Sequence, residues 1–436
     1  MNYSQAIAWL ESLQMFGAKP GLERMVRLAA AAGHPEQHLR FIHVAGTNGK
    51  GSTCAMLESI YRRKGLKVGL FTSPHLVAFA ERIQINRQCI PQSDVARLAG
   101  QLKPLVSDLS ATDPPTFFEV VTLMALVYFA ECRCELVIWE TGLGGRLDAT
   151  NIVQPLASVI TNIDYDHEKW LGYTLPEIAG EKAGIIKPNT PVILAANRPE
   201  VAQVIRRRAA ELQAPLTEVH HADRFTLAAA SLALPLLGLH QRLNAATAIA
   251  TTHALQHLLP VDWADVVAGL EQVHWPGRLQ RVRLAGQEFV LDGAHNPGGV
   301  AALCQALAEL YPQEKPAMIV GILRDKNWPQ MLQTLRQQAR RMLLVTVGSE
   351  RAATATELRE GCGPEDPSCP ISCHVNLAEA LRAAREEKLV VICGSLYLVG
   401  EALELLQLQS APHHGEERSL NEWGGQPPSP ALPHPS

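Results

Sequence analysis

The sequence predicts an α/β protein built from two largely parallel sheets, each covered by helices on both faces. Two observations carry that expectation. Short, continuously apolar runs alternate with helix-length segments from residue 41 onward, and the pattern breaks at a Pro-Gly pair and restarts near residue 289. The length of 436 residues exceeds one ordinary core and agrees with two domains.

The first series consists of Phe41–Ala45, Val68–Phe71, 136–139, 157–161 and Val192–Ala195. Each run is short and bounded by turn residues. Continuous apolarity is what a strand needs when both faces of its sheet are buried. The second series consists of 289–291, 318–322, 342–347 and Leu389–Cys393. His274-Trp275-Pro276-Gly277 stands between them and suits a linker or hinge, because Pro-Gly breaks any regular element. The expected domains are therefore 1–275 and a smaller, Rossmann-like 276–409. Beyond Gln409 the composition changes: the last 26 residues hold six prolines and few large apolar groups. Residues 410–436 are expected to form a disordered tail without chemistry.

Apolar residues make up 47% of the chain and charged residues 19%, the balance of a globular protein. A net charge of −4 gives no general attraction to nucleic acid or an acidic membrane, so neither is expected as a partner. The most apolar stretch, 120–130, is too short to span a bilayer, and no signal peptide is visible at Met1. Nine scattered cysteines fit a reducing cytoplasm better than a disulfide framework. Cys362, Cys369, Cys373 and His374 cluster in sequence, but their spacing matches no common zinc pattern.

The sharpest chemical signal follows the first strand. Gly46-Thr47-Asn48-Gly49-Lys50-Gly51-Ser52 joins it to a helix-compatible segment, 53–63. Such a junction gathers backbone N–H groups at a helix N-terminus and aims them at a phosphate. Glycines let the backbone bend and approach the oxygens, Lys50 reaches the β- and γ-phosphates, and the Ser52 hydroxyl faces magnesium. The first domain is thus expected to be P-loop ATPase-like and to bind ATP through Thr47, Asn48, Gly49, Lys50, Gly51 and Ser52. Only two residues separate Gly46 from Gly49, which departs from the general phosphate-loop formula.

Polar groups also gather at later strand ends, where an open parallel sheet binds its ligands. Glu140 ends one strand and precedes a glycine-rich turn, a sensible place for a magnesium-ligating carboxylate. Asp166-His167 follows the next strand. Asp292 and His295 end the first strand of the second series, and Arg278 is suited to neutralise phosphate charge. Thr116 and Glu119 have the spacing of a capping box at the start of the apolar helix.

The altered phosphate loop resembles that of the Mur ligase superfamily, which includes the folylpolyglutamate synthases. Further blocks match that family in order over residues 1 to about 405: Thr72-Ser73-Pro74-His75-Leu76, the Glu140 block, Asp166-His167, Glu181-Lys182-Ala183-Gly184, 238–245, and Asp292-Gly293-Ala294-His295-Asn296-Pro297. The resemblance implies an ATP-dependent carboxylate–amine ligase. It would extend tetrahydrofolate and its polyglutamates with L-glutamate, and would use dihydropteroate as well, through an acyl phosphate. Ser52, Ser73, Glu140, His167 and a carbamylated Lys182 would then hold magnesium, two ions being expected. Neutral amine is needed for that adduct, and burial among cations lowers a lysine pKa in the required direction.

By the same resemblance Asn244, Arg278 and Asp292 serve ATP, and His295 serves the incoming glutamate. Lys50, Lys182, Arg278 and His295 are the catalytic set. Thr116, Phe117, Phe118, Glu119, Leu147, Asp148 and Ala149 would contact the pteroate, and Gly17-Ala18-Lys19-Pro20 would add to that pocket. A monomer is expected. The nearest rival is a cell-wall Mur ligase, which would carry a UDP-binding domain before the loop; the 45 residues ahead of Gly46 are too few for one. A nucleotide switch is the other rival, but it would need no Arg278, Asp292 and His295.

Overall fold

The computed structural model describes residues 1–17, 20–109, 113–195, 197–220, 222–223, 232–409 and 416–422. Ala18 and Lys19 of the proposed pteroate segment, and 410–415 and 423–436 of the tail, lie outside the described residues.

Fourteen described strands form two sheets. The first contains β1 (Phe41–Ala45), β2 (Val68–Phe71), β3 (Ile83–Ile85), β4 (Gln88–Cys89), β5 (Leu136–Glu140), β6 (Ala157–Ile160), β7 (Val192–Ala195) and β8 (Leu216–Val219), in the order β4-β3-β2-β5-β1-β6-β7-β8. β3 and β4 pair antiparallel at one edge, and the rest is parallel. β1 is central, so the loops leaving β1, β5 and β6 emerge side by side at one end of the sheet. All five residues of β1 are buried, as its uninterrupted apolar run requires.

The second sheet contains β9 (Gln280–Leu284), β10 (Gln287–Leu291), β11 (Ala317–Val320), β12 (Arg341–Val345), β13 (Ile371–His374) and β14 (Leu389–Cys393), in the order β13-β12-β11-β14-β10-β9. Only β9 is antiparallel. In sequence the two sheets flank the segment 272–279; each has an apolar cluster of its own, and a further cluster packs Leu76 and Val77 of the first domain against the second sheet.

Helix Lys50–Arg63 starts at the phosphate loop and carries Arg62 and Arg63 in its last turn, where the helix dipole favours cations. Its other end is fixed by close packing. The Ser59 hydroxyl donates to the Gly269 carbonyl at 2.6 Å, and a Cβ on Gly269 would stand 2.6 Å from the Ile60 Cα. Helix Phe117–Glu131 is almost wholly buried and opens with the anticipated box: the Glu119 N–H donates to the Thr116 hydroxyl at 3.3 Å, and the Thr116 N–H donates to the Glu119 carboxylate at 2.7 Å.

The expectation of a tail without structure is corrected for residues 417–422. Leu420 is 1% exposed within the first domain's core, and Asn421 is buried against Arg82 and His75. One leucine and several polar anchors fix the segment. Neither leaves a periodic pattern.

Candidate active site

Both sheets point their strand ends at one cleft of about 1960 Å³. Among the described residues, every one singled out above as catalytic, nucleotide-binding, pteroate-binding or metal-ligating lines it, including Ser73, Lys182 and Asn244. Residues separated by more than two hundred positions are thus brought together.

The phosphate loop is held rigidly against the end of β6. The Thr47 N–H donates to the Asn162 carbonyl at 2.7 Å, and the Thr47 hydroxyl donates to the Asp164 carbonyl at 3.0 Å. Gly46 and Gly49 take φ values of 153° and 90°. A Cβ on Gly46 would lie 1.8 Å from the Thr161 hydroxyl, and one on Gly49 would lie 2.5 Å from the Asn244 amide oxygen. Only glycine meets both demands. Asn244 is thereby placed against the loop itself, with its amide donating to Gln241 at 3.0 Å, while Gln241 donates to the Ser52 hydroxyl at 3.2 Å. Lys50 Nζ donates to the Gly46 carbonyl at 3.3 Å and lies 4.0 Å from Glu140.

Glu140 is 4% exposed and accepts a hydrogen bond from the Ser73 N–H at 3.2 Å. Burial pushes its carboxyl up to about 7, against the pull of Lys50, the Ser73 N–H and Arg278. Lys182 is 3% exposed and donates to the Gly46 carbonyl at 2.8 Å. Burial, and then the Lys50 charge, push its amine down to about 7. His167 sits in the left-handed region with φ 52°, uncommon for a residue with a Cβ. Burial lowers its imidazole to about 3 despite Asp166, so the ring is neutral, the form that binds metal.

Among the described residues no three or more His, Cys, Asp or Glu side chains form a group able to hold a metal. A cation here would depend on hydroxyls, on phosphate oxygens and on a modified lysine as well as on Glu140 and His167. The residues fit that description: Glu140 is a buried carboxylate without a full set of donors, and a neutral amine is available at Lys182.

The second domain supplies Arg278, Asp292 and His295. Burial lowers the Arg278 guanidinium somewhat, while Asp292 and Glu140 oppose the change. Asp292 caps the turn after β10, accepting from the Leu279 N–H at 2.8 Å and the Ala294 N–H at 2.9 Å. His295 Nδ1 is 2.8 Å from the Gly293 carbonyl, and its Nε2 is 3.5 Å from Asp166.

Asp166 was visible in sequence only as the neighbour of His167, yet it is where the domains meet. Lys326 Nζ donates to it at 2.6 Å and the Asn296 amide at 3.1 Å. Burial would raise its carboxyl, but the Lys326 charge and the hydrogen bond from His295 hold it well below the usual carboxylate range. Asn296 also exchanges amide hydrogen bonds of 3.0 and 3.3 Å with Asn48 of the phosphate loop. In sequence Asn296 reads simply as a helix cap before a proline, and it is that too, accepting from the Gly299 N–H at 2.8 Å.

In the proposed pteroate region, two carboxylates are already engaged. Glu119 serves the helix cap and an ion pair with Arg24 at 3.0 Å. Asp148 accepts from the Leu143 N–H, the Thr150 N–H and the Thr150 hydroxyl. The faces of Phe117 and Phe118, with Leu147 and Ala149, remain as cleft wall.

A phosphate loop facing carboxylates, cations and a second α/β domain across one cleft defines an ATP-dependent ligase of the Mur type. Residues 44–252 match the Mur ligase middle domain, and residues 277–396 match the Mur ligase glutamate ligase domain. The chain belongs to the dihydrofolate synthase/folylpolyglutamate synthase family. A Bacillus subtilis protein of that double name is 37% identical over 93% of this chain and 99% of its own length. The Escherichia coli protein of the same name is 34% identical over 92% and 96%. Among solved structures, Escherichia coli FolC in complex with DHPP and ADP superposes with a TM-score of 0.82 at 31% identity, covering 94% of this chain and 98% of that one. The Mycobacterium tuberculosis folylpolyglutamate synthase complexed with ADP and AMPPCP gives 0.85 at 29%, covering 94% and 100%.

Proposed function

We propose that this chain joins L-glutamate to tetrahydrofolate and its polyglutamates, and to dihydropteroate, at the expense of ATP. The observation that carries this reading is the convergence of Lys50, Glu140 and Lys182 with Arg278 and His295 of the other domain in one cleft. Lys50 and the loop N–H groups would hold the β- and γ-phosphates. Arg278, facing both Glu140 and Asp292, would take up negative charge as the γ-phosphoryl group moves to the substrate carboxylate. His295 and Lys326, which share Asp166, would receive glutamate's carboxylates. The amine then displaces phosphate from the acyl phosphate, and two domains closing over the cleft would keep water from doing so first.

Ser52, Ser73, Glu140, His167 and a carbamylated Lys182 are the residues that would hold magnesium, whose charge would offset that of the phosphate groups when bound. The buried, easily deprotonated Lys182 supports the carbamate. Phe117, Phe118, Leu147 and Ala149 supply the apolar wall that a flat pteridine needs. All nine cysteines are free thiols, which fits a cytoplasmic enzyme, and among the described residues no helix is long and apolar enough to cross a membrane.

ADP release assayed with dihydropteroate, tetrahydrofolate and glutamate, singly and together, tests the reading. ADP is expected only when a pterin substrate and glutamate are both present. No ADP with any combination would refute it.

A further inference from the structure

We propose that residues 417–422 form a wall of the substrate cleft and that Glu422 makes this wall selective against longer γ-glutamyl chains. The proposal rests on the folate-ligase reading above. The segment lies beyond the span matched by the glutamate ligase domain, which ends at residue 396.

Both domains hold it. Toward the first, the Tyr3 hydroxyl and the Phe79 N–H donate to the two carboxylate oxygens of Glu417 at 3.0 and 2.6 Å. Arg82 donates to the Asn421 amide oxygen at 2.6 Å and to His75 Nδ1 at 2.9 Å. His75 is therefore neutral and donates through Nε2 to the Glu417 carbonyl at 2.9 Å, which agrees with an imidazole held well below its usual range by burial and by Arg82. The same histidine follows Ser73-Pro74, so the segment braces the loop that carries Ser73. Toward the second domain, Arg418 pairs with Glu404 of helix Leu396–Leu405.

Leu420, Asn421 and Glu422 line the cleft together with Arg351 and Tyr397 of the second domain. Tyr397 is 7% exposed, and its hydroxyl has no hydrogen-bond partner among the described residues. Arg351 keeps Asp325 at 2.8 Å. A guanidinium and a free buried hydroxyl are suitable receivers for a substrate carboxylate. Glu422 is fixed through its backbone, with its N–H donating to Ser419 at 2.9 Å and its carbonyl accepting from Gln14 at 3.0 Å. Among the described residues its carboxylate has no hydrogen-bond or ion-pair partner. A negative charge is thus held on a rigid stem beside Arg351 and Tyr397, and its field adds to burial in raising the Tyr397 phenol.

Each γ-linked glutamate adds one carboxylate to the substrate. A longer chain therefore brings more negative charge toward Glu422, and the like charges repel. The effect should be a preference for short chains, expressed in KM and weakened by salt.

The test uses the full-length chain and its Glu422→Gln variant, which keeps shape and removes charge. The ratio of kcat/KM for tetrahydrofolate diglutamate to that for the monoglutamate is measured at low and high salt. The ratio is expected to rise about fivefold in the variant at low salt, through KM, and to lose most of its salt dependence. Longer products should accumulate in extended reactions. Glu422→Lys should raise the ratio further. An unchanged ratio, or a change in kcat shared by both substrates, would overturn the proposal while leaving the ligase reading intact. A wild-type chain that extends neither substrate would remove both.

Discussion

Lys326 Nζ lies 2.6 Å from Asp166 Oδ1, and the pair ties the loop after β11 in the second domain to the loop after β6 in the first. Both side chains are only 7% exposed. Two charges buried this deeply depend on each other, and removing one leaves the other uncompensated. Lys326→Met should therefore destabilise the protein by about 3 kcal/mol in chemical denaturation. Asp166→Asn combined with Lys326→Met should recover part of that loss. A single variant as stable as the wild type would show that the pair does not hold the domains.

Glu140 shows the opposite relation between stability and chemistry. Its carboxyl is raised from 4.5 to about 7, so between those values the folded state binds more protons than the unfolded chain. Stability without metal therefore falls as pH rises through that window and stays reduced above it. Glu140→Gln should gain up to about 3 kcal/mol above neutral pH in chelator, shrinking toward zero near the lower end of the window. It should also lose ligase activity. Urea titrations at about pH 5 and about pH 8 would check the sign, and equal stability of the two proteins at the higher pH would contradict it.

Lys182 should titrate in the same region but with the reverse sense, its amine becoming neutral as pH rises through about 7. If the neutral amine takes up carbon dioxide, Lys182→Ala should be inactive and partly restored by formate or acetate. Intact-protein mass under bicarbonate should show a carboxyl adduct on wild type alone. Full activity of Lys182→Ala without added carboxylate would dismiss the adduct.

Thr116→Ala separates the two roles of the segment that opens the apolar helix. Losing the cap should cost about 1 kcal/mol of stability. Because Phe117 and Phe118 begin that helix, the KM for dihydropteroate should rise several-fold while the KM for ATP stays put. Equal effects on both KM values would make the segment structural only.

How far the sequence was legible follows burial. The central strands β1, β2, β7 and β14 were bounded to the residue, because buried parallel strands read as unbroken apolar runs. The edges were missed. β9, Gln-Arg-Val-Arg-Leu, alternates and carries charges that blunt an open edge, while β4 has only two residues. The phosphate loop was legible because glycine, lysine and hydroxyl must stand at fixed spacing. Asp166 and Asn296 were not legible as a junction, since their meaning lies in partners more than a hundred positions away. The segment 417–422 was misread because one buried leucine among polar residues looks like a tail.

Phosphate formed during turnover tests the central claim, ligation through an acyl phosphate, most directly. With tetrahydrofolate labelled by oxygen-18 in its terminal carboxylate, one labelled oxygen should pass into inorganic phosphate for each tetrahydrofolate that receives its first added glutamate. Ligation that leaves the phosphate unlabelled would contradict the account.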